Sequence, residues 1–165
     1  MSTLVRAARA ADVRSIRALV APLVERRILL AKEAVSYYES LQEFVVVERD
    51  GRLVGCGALH VMWEDLAEVR TLAVSPEVLG QGVGHEVLEA LMSRARTLGI
   101  TRLFTLTFEV EFFGRHGFEI IEGTPVQPDV FAELLRSHDD GVAEFLDLAR
   151  VKPNTLGNTR MLRRL

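Results

Sequence analysis

Glycines occupy three alternate positions, Gly80, Gly82 and Gly84, between an apolar run that ends at Val74 and an amphipathic pattern that begins near His85. Glycine has no Cβ atom, so it adopts positive φ angles and lets other atoms approach the backbone closely. At the start of a helix, such a loop presents several unpaired N–H groups to one point, where the helix dipole also favours negative charge. The pattern therefore predicts a pyrophosphate site.

Two common phosphate-binding loops do not fit this segment. A P-loop requires a lysine followed by serine or threonine, and the chain contains no such pair. A Rossmann fingerprint requires Gly-x-Gly-x-x-Gly, whereas here the third glycine follows the second after a single residue. A shorter x-x-Gly-x-Gly loop, placed after a strand and the exit Ser75-Pro76, fits the spacing.

Composition indicates a globular domain and restricts its partners. The length of 165 residues predicts one domain, residues 1–165, with 48% hydrophobic and 26% charged residues. A net charge of −3 gives no electrostatic reason to expect nucleic acid. The single cysteine, Cys56, excludes an internal disulfide and is expected to be inert core. No run reaches the roughly 20 apolar residues of a membrane span, so we expect a cytoplasmic protein.

The elements that must position the glycine loop follow from apolar periodicity, which predicts an α+β fold. Strand patterns cover residues 4–8, 44–48, 53–61, 67–74, 103–107, 118–121 and 161–165. Helix patterns cover residues 13–24, 37–41, 82–95, 112–116 and 131–135. We expect residues 67–74 to be the central strand, residues 161–165 to close an edge, and the charges of residues 133–147 to form a solvated helical face.

The element order and three local segments resemble the GNAT (GCN5-related) N-acetyltransferases. These segments are Glu68–Val74 followed by Ser75-Pro76, the loop Gly80–Gly84 with its helix, and Phe112-Phe113-Gly114-Arg115-His116-Gly117-Phe118. The resemblance implies a GNAT fold, with a mixed, mostly antiparallel sheet of about six or seven strands and one βαβ crossover carrying the pyrophosphate loop. It also implies acetyl-CoA as cosubstrate and no metal. The residues implied at coenzyme A are Leu72, Ala73, Val74, Leu79, Gly80, Gln81, Gly82, Val83, Gly84, His85 and Phe113.

The resemblance implies further features of the cofactor site. The chain departs from the family pattern at two positions. The central strand is expected to splay from its neighbour beyond Val74, so that free backbone groups of Leu72 and Val74 pair with the pantetheine arm. Leu79 stands where the family usually has arginine or glutamine. Phe113 replaces a tyrosine that protonates the leaving thiolate in many members, so we expect water or the ammonium product to supply that proton.

Within the family, the chain resembles the acetyltransferase domain of the N-acetylglutamate synthases. The resemblance lies in Val20-Ala21-Pro22-Leu23, Ile28-Leu29-Leu30, Leu53–Leu59 and Arg102–Thr107, besides the central strand. It implies direct acetyl transfer to the α-amine of L-glutamate in a ternary complex, at the first step of arginine biosynthesis. A short standalone form without the kinase-like domain of larger synthases is expected, and members of the family often form homodimers.

Roles for side chains follow from this resemblance and from strand geometry. Glu68 is the expected general base, because partial burial raises a carboxyl pKa towards ambient pH; His60 is a second candidate. Arg70 lies two positions further along the strand, on the same face, and is the expected carboxylate clamp. The remaining expected substrate contacts are Lys32, Lys152, Asn154, Asn158 and Thr159.

Two alternatives remain open at this point. One is a GNAT enzyme for another amino acid, a polyamine or a protein amine. A non-catalytic acyl-CoA sensor is also compatible with the loss of the tyrosine at Phe113. His85 is expected beside the diphosphate, and His116 at a solvated helix end.

Overall fold

The computed structural model describes residues 2–148 and 157–165, and a seven-stranded sheet forms its centre. The strands are β1 (Thr3–Ala7), β2 (Phe44–Arg49), β3 (Arg52–Trp63), β4 (Leu66–Val74), β5 (Arg102–Thr107), β6 (Glu119–Ile120) and β7 (Thr159–Arg164). Their order in the sheet is β1-β2-β3-β4-β5-β7-β6. Only β4 and β5 pair in parallel, so the expected α+β architecture with one crossover and a central fourth strand is confirmed.

Six α-helices of the described residues cover the sheet. They are α1 (Val13–Glu25), α2 (Ala34–Glu39), α3 (Val83–Thr97), α4 (Val110–Arg115), α5 (Pro128–Leu134) and α6 (Asp140–Phe145). Three clusters of buried side chains result, one under α3 and α4, one under α1 and α2, and one under α5 and α6. Helix α6 lies within residues 133–147, which were expected to form a helical face. Among the described residues, no helix combines the length and the apolar character needed to cross a membrane.

The turn between β2 and β3 has the geometry that its sequence predicts. Asp50 and Gly51 have φ angles of 50° and 79°, and two consecutive positive values are typical of a type I′ hairpin turn. The backbone twist of this turn matches the twist of the flanking strands, which fixes the register of β2 against β3.

Helix α3 lies unusually close to β3 because two glycines face it. A Cβ atom on Gly55 would lie 2.5 Å from the Val83 side chain, and one on Gly57 would lie 2.6 Å from the Val87 side chain. No larger residue fits there without moving the helix. The glycines therefore determine where the first turn of α3 stands relative to the end of β4.

Strand β4 separates from β5 much earlier than expected. The two strands pair only at Leu66–Glu68, opposite Arg102–Phe104, so the splay begins after Glu68 and not beyond Val74. The physical reason is a bulge in which Thr71 and its successor oppose the single residue Gly57, with Thr71 at a φ angle of 55°. A bulge bends and twists its strand, which turns β4 away from β5.

The C-terminal strand is interior, and the expectation that it forms an edge was wrong. Strand β7 pairs with β5 over six positions, whereas β6 contributes only Glu119 and Ile120 to its other side. A two-residue strand cannot pair with all of β5. The last strand takes that place, and β6 becomes the edge.

Candidate active site

The glycine loop after β4 is open and points backbone groups outward. Gly80 and Gly82 have φ angles of 78° and 85°, and the space where their Cβ atoms would lie is empty. Gly82 caps α3, and the first helical hydrogen bond runs from the Glu86 N–H to the Gly82 carbonyl at 3.1 Å. The N–H groups of Val83, Gly84 and His85 precede that bond, so they converge on the loop at the positive end of the helix dipole.

Backbone groups of β4 continue this donor set into the splay. The Ser75 N–H donates to the Val54 carbonyl of β3 at 2.8 Å. Because successive N–H groups along a strand point to opposite sides, the Val74 N–H faces away from β3, towards the side where β5 is missing. By the same alternation the Leu72 N–H faces that side, while the Ala73 side chain is buried in the cluster under α1.

Phe113 occupies the position expected from the sequence but acts as a core residue. Its side chain is buried, and its ring makes edge-on contacts with Phe112 and Phe118, each with 5.1 Å between ring centroids. Gly84 packs against the same group, since a Cβ atom there would lie 3.2 Å from Phe112. The α3–α4 contact therefore supports the loop from behind.

Arg49 is a residue at the loop that sequence reasoning missed. Its Nη1 donates to the Gln81 side-chain oxygen at 2.7 Å, and its Nη2 donates to the Gln81 carbonyl at 3.2 Å. This arrangement places a positive charge beside the loop, where Leu79 supplies none. No local signal in the sequence marks Arg49, because it reaches the loop from the end of β2.

Apart from the glycine loop, a cavity of about 60 Å³ opens beside the point where β4 leaves β5. Residues from five separate parts of the chain line it. The polar members of this acceptor cavity are Lys32, Glu68, Arg70, Thr71, Glu144 and Asn158. Its apolar wall includes Ile28, Leu29 and Leu30, the segment that resembles the substrate entry of the synthases. The structure thus brings together four of the predicted base and substrate residues.

Glu68, Arg70 and Asp139 form one network of charges at this cavity. Arg70 Nε donates to Glu68 Oε1 at 2.9 Å, and Nη2 lies 2.7 Å from the same oxygen. Arg70 Nη1 donates to Asp139 at 2.9 Å. The guanidinium fits because Gly141 has no side chain; a Cβ atom there would lie 2.5 Å from Nη2. Asp139 was expected on a solvated helical face, and this expectation was wrong: it caps α6 and accepts the Val142 N–H at 2.9 Å.

The two carboxyl groups of the network have opposite pKa shifts. Burial raises the pKa of Glu68, although the nearby Arg70 opposes the shift. Burial is also the largest single influence on Asp139 and disfavours its charged form, but the hydrogen bond and charge of Arg70, with smaller contributions from His60 and the Val142 N–H, together lower the pKa of Asp139 to about 2. One guanidinium cannot fully compensate two carboxylates, so Glu68 is the carboxyl that carries a proton most readily. A buried base of this kind matches the requirement of general base catalysis.

Lys32 brings a second positive charge to the acceptor cavity. Its Nζ lies 3.4 Å from the Thr71 hydroxyl and 5.9 Å from the Tyr37 ring centroid. Burial, followed by the neighbouring Arg70, lowers the pKa of Lys32. A bound carboxylate would relieve both effects, because it supplies the counter-charge that burial denies to the ammonium group.

Of the other predicted residues, some line this cavity and some do not. His60 stands opposite Glu68 in the β3–β4 register, and its Nδ1 contacts Glu43 at 3.0 Å. Asn158 lines the cavity, whereas Thr159 begins β7 opposite Thr107 and does not. Lys152 and Asn154 lie outside the described residues.

Cys56 is buried against the bulge of β4. Its thiol lies 3.5 Å from the Thr71 carbonyl, and burial raises its pKa to about 12. A thiol in this state is a poor nucleophile, so the expectation that Cys56 is inert core is confirmed.

Comparison with known proteins places the two sites in context. Residues 3–118 match the Acetyltransferase (GNAT) family. An amino-acid acetyltransferase of Mycobacterium tuberculosis is 56% identical over 161 residues, which cover 96% of this chain and 92% of that protein. An amino-acid acetyltransferase of Neisseria meningitidis is 38% identical over 117 residues, 70% of this chain but only 27% of that longer protein.

Solved structures of related proteins superpose closely on this chain. A Mycobacterium tuberculosis protein in complex with CoA and NLQ superposes with a TM-score of 0.94 at 55% identity, covering 98% of this chain and 99% of that chain. The N-acetylglutamate synthase of Neisseria gonorrhoeae, complexed with coenzyme A and N-acetyl-glutamate, gives a TM-score of 0.79 at 29% identity. That match covers 100% of this chain and 35% of the synthase chain.

Proposed function

The chain belongs to the GNAT acetyltransferase family, uses acetyl-CoA as its cosubstrate, and, we propose, acetylates the α-amine of L-glutamate as an N-acetylglutamate synthase of arginine biosynthesis. The observation that carries this proposal is the acceptor cavity. It joins a buried carboxyl of raised pKa, Glu68, to the ammonium group of Lys32 at the edge of the β4 splay. An acidic amino acid requires both groups, a base for its amine and a cation for its carboxylates.

Relatives support an amino acid as the acceptor. The 56% identical Mycobacterium tuberculosis protein is named an amino-acid acetyltransferase, and the Neisseria gonorrhoeae synthase holds N-acetyl-glutamate beside coenzyme A. A carboxylate of such a product can pair with the ammonium group of Lys32 at this cavity, whereas a polyamine would leave that charge without a counter-charge.

Coenzyme A is held mainly by the backbone in this proposal. The diphosphate binds the free N–H groups of Val83, Gly84 and His85, with Arg49 at the rim. The pantetheine arm then runs along the open side of β4, where it pairs with Leu72 and Val74. One N–H of this strand faces the thioester oxygen and stabilises the oxyanion that forms there.

Acetyl transfer then follows from the placement of Glu68. The incoming α-ammonium gives a proton to Glu68, and the neutral amine attacks the thioester carbon. A C–N bond forms, the C–S bond breaks, and the thiolate of coenzyme A leaves. Both contacts with Arg70 fall on Oε1 of Glu68, so Oε2 accepts the proton while the ion pair persists. Phe113 cannot donate a proton, so the attacking nitrogen, which still carries a surplus proton in the tetrahedral intermediate, passes it to the thiolate directly or through water.

Arg70 takes a different role from the clamp that the sequence suggested. Its guanidinium is held by Glu68 on one side and Asp139 on the other, so it orients the base and sets its pKa. Breaking a buried ion pair of this kind costs about 3–5 kcal/mol, which argues against its release to each incoming substrate. We therefore assign the carboxylate contacts primarily to Lys32 and Asn158.

The proposal is tested by measuring thiol release from acetyl-CoA with each of the twenty amino acids and with spermidine. We expect the highest kcat/KM with L-glutamate. A clear preference for glutamine or aspartate would keep the family activity and overturn the glutamate assignment. Tight acetyl-CoA binding without release in the presence of any amine would identify a non-catalytic sensor instead.

A further inference from the structure

His85, Glu89 and His116 form a compact cluster outside the acceptor cavity. One ligand atom from each residue lies within 4.8 Å of the other two. His85 and Glu89 are four residues apart on α3, so both project from the same face of the helix. His116 follows the end of α4 and approaches from the opposite side. The cluster therefore joins two helices that the sequence separates.

The hydrogen bonds of the cluster define the tautomer of each ring. His116 Nδ1 lies 2.8 Å from the Phe112 carbonyl, which only accepts, so Nδ1 carries the proton. Its Nε2 consequently presents a lone pair towards His85 Nδ1, at 2.8 Å, and receives the His85 proton. An imidazole whose outer N–H is held by a backbone carbonyl, with the other nitrogen free to coordinate, is the usual state of a metal-bound histidine.

Packing holds these side chains in place from behind. The rings of His116 and Phe112 lie 4.7 Å apart, and those of His85 and His116 lie 5.1 Å apart. Gly84 contacts Phe112 one residue before His85, which fixes the start of α3 against α4. The cluster is thus a preformed arrangement, and its outer side is open because His85 and Glu89 are exposed.

We propose that His85, Glu89 and His116 bind a divalent transition metal ion of the zinc type. Two neutral imidazoles and one carboxylate are a donor set that Zn²⁺ prefers, and three protein ligands leave a fourth position for water. The ion replaces the proton shared by the two rings, which leaves to solvent from His85 Nδ1. With Zn–N bonds of about 2.0–2.1 Å, the two nitrogens move from 2.8 Å to roughly 3.3 Å apart.

The family resemblance led us to expect no metal, and no spacing motif joins the two histidines, which are 31 positions apart. The proposed ion uses the side chain of His85, whereas the diphosphate is assigned to the backbone N–H of that residue, and the inference does not depend on the acceptor amine. It would cross-link α3 to α4 immediately behind the first turn that carries the loop N–H groups.

Calorimetric titration of the chelator-treated full chain with ZnCl₂ tests this site. We expect one Zn²⁺ per chain, with affinity at least about 10–100-fold weaker in His116→Ala and in His85→Ala, and a smaller loss in Glu89→Gln. His138→Ala is the matched control, since it removes an exposed histidine elsewhere and should bind zinc like the wild type. Co²⁺ added in place of Zn²⁺ should give the visible absorption bands of a four-coordinate ion in the wild type and in His138→Ala, but not in His85→Ala or His116→Ala.

Two results would overturn the assignment. One is the absence of stoichiometric zinc binding by the wild-type chain. The other is zinc binding that persists unchanged in both histidine variants, with each shown to be folded by circular dichroism.

Discussion

The glycine loop follows the end of β4 and the acceptor cavity lies beside its middle, and the two are built from different parts of the polypeptide. Backbone N–H groups of consecutive residues form the loop, and its glycines leave open space around them. Side chains from distant segments form the cavity, and Arg70 there reaches Asp139 across 69 positions of sequence. A backbone site tolerates changes of side chain, whereas a side-chain network transmits every change of charge. Substitutions should therefore separate cofactor binding from acceptor chemistry.

The largest effect is expected from Glu68→Gln, which disrupts the side-chain network of the acceptor cavity. The amide cannot accept the proton, so kcat should fall by about 10²–10⁴-fold while acetyl-CoA affinity stays nearly unchanged. Steady-state kinetics together with acetyl-CoA titration measure both quantities. Glu64→Gln, an exposed change in the β3–β4 turn, is the matched control. An unaltered kcat in Glu68→Gln would remove this residue as the base.

Lys32→Met should separate the acceptor from the cofactor. Loss of a charged hydrogen bond to a carboxylate costs about 1.5–3 kcal/mol, so KM for glutamate should rise by roughly 10–100-fold. KM for acetyl-CoA should stay at the wild-type value, since Lys32 lies in the cavity and not at the loop. Unchanged glutamate saturation would contradict the assignment of Lys32 to a substrate carboxylate.

Gly82→Ala should weaken cofactor binding at the glycine loop and leave the acceptor cavity intact. The φ angle of 85° at this position costs a non-glycine residue about 1–2 kcal/mol, which corresponds to roughly 5–30-fold weaker acetyl-CoA binding if the loop relaxes away from it. Titration calorimetry with acetyl-CoA measures this loss.

Gly123→Ala provides the matched control for the loop variant. Gly123 has a φ angle of 75° and equally open surroundings, so it imposes similar strain away from the site. Leu79→Ala should also bind acetyl-CoA normally, because only the backbone of that residue is required. Equal weakening of acetyl-CoA binding in Gly82→Ala and Gly123→Ala would show that strain alone, and not the loop, accounts for the loss.

Asp139→Asn should give a smaller effect that reveals the coupling within the network. Asparagine keeps the cap on α6 but removes a negative charge that raises the pKa of Glu68. The pKa of Glu68 falls, so the acid limb of the kcat–pH profile moves to lower pH and kcat at its plateau drops on the order of threefold. Asp129→Asn, at an exposed position of α5, should leave the profile unchanged. An unmoved acid limb in Asp139→Asn would deny the coupling.

Asp139→Asn should also change how the stability of the fold depends on pH. The pKa of Asp139 is lowered from 3.8 to about 2, so this group stabilises the folded state above its ordinary pKa and loses that contribution as pH falls towards 2. The difference in Tm between wild type and Asp139→Asn should therefore shrink over this acidic range. A difference that does not change between pH 6 and pH 2.5 would contradict the lowered pKa.

Sequence reasoning succeeded where the relevant interactions are local. The Asp50-Gly51 turn, the amphipathic face of α3 and the glycine loop each depend on neighbouring residues, and the structure confirms all three. It failed where the partner is distant. The position of β7 between β5 and β6 depends on how few residues β6 supplies, which periodicity does not reveal.

The residues of the candidate site show the same difference between local and distant interactions. The strand spacing placed Glu68 and Arg70 on one face of β4, which the structure confirms by their direct contact. Nothing near Asp139 or Arg49 in the sequence marks either residue, because each gains its role only when its helix or strand docks beside β4 or the loop.

A crystal structure with coenzyme A and N-acetylglutamate bound tests the central claim most directly. The account predicts the diphosphate within hydrogen-bond distance of the N–H groups of Val83–His85. It also predicts the acetyl-amide nitrogen within reach of Glu68, and a carboxylate on Lys32. A diphosphate bound away from the glycine loop, or a product molecule outside the acceptor cavity, would contradict it.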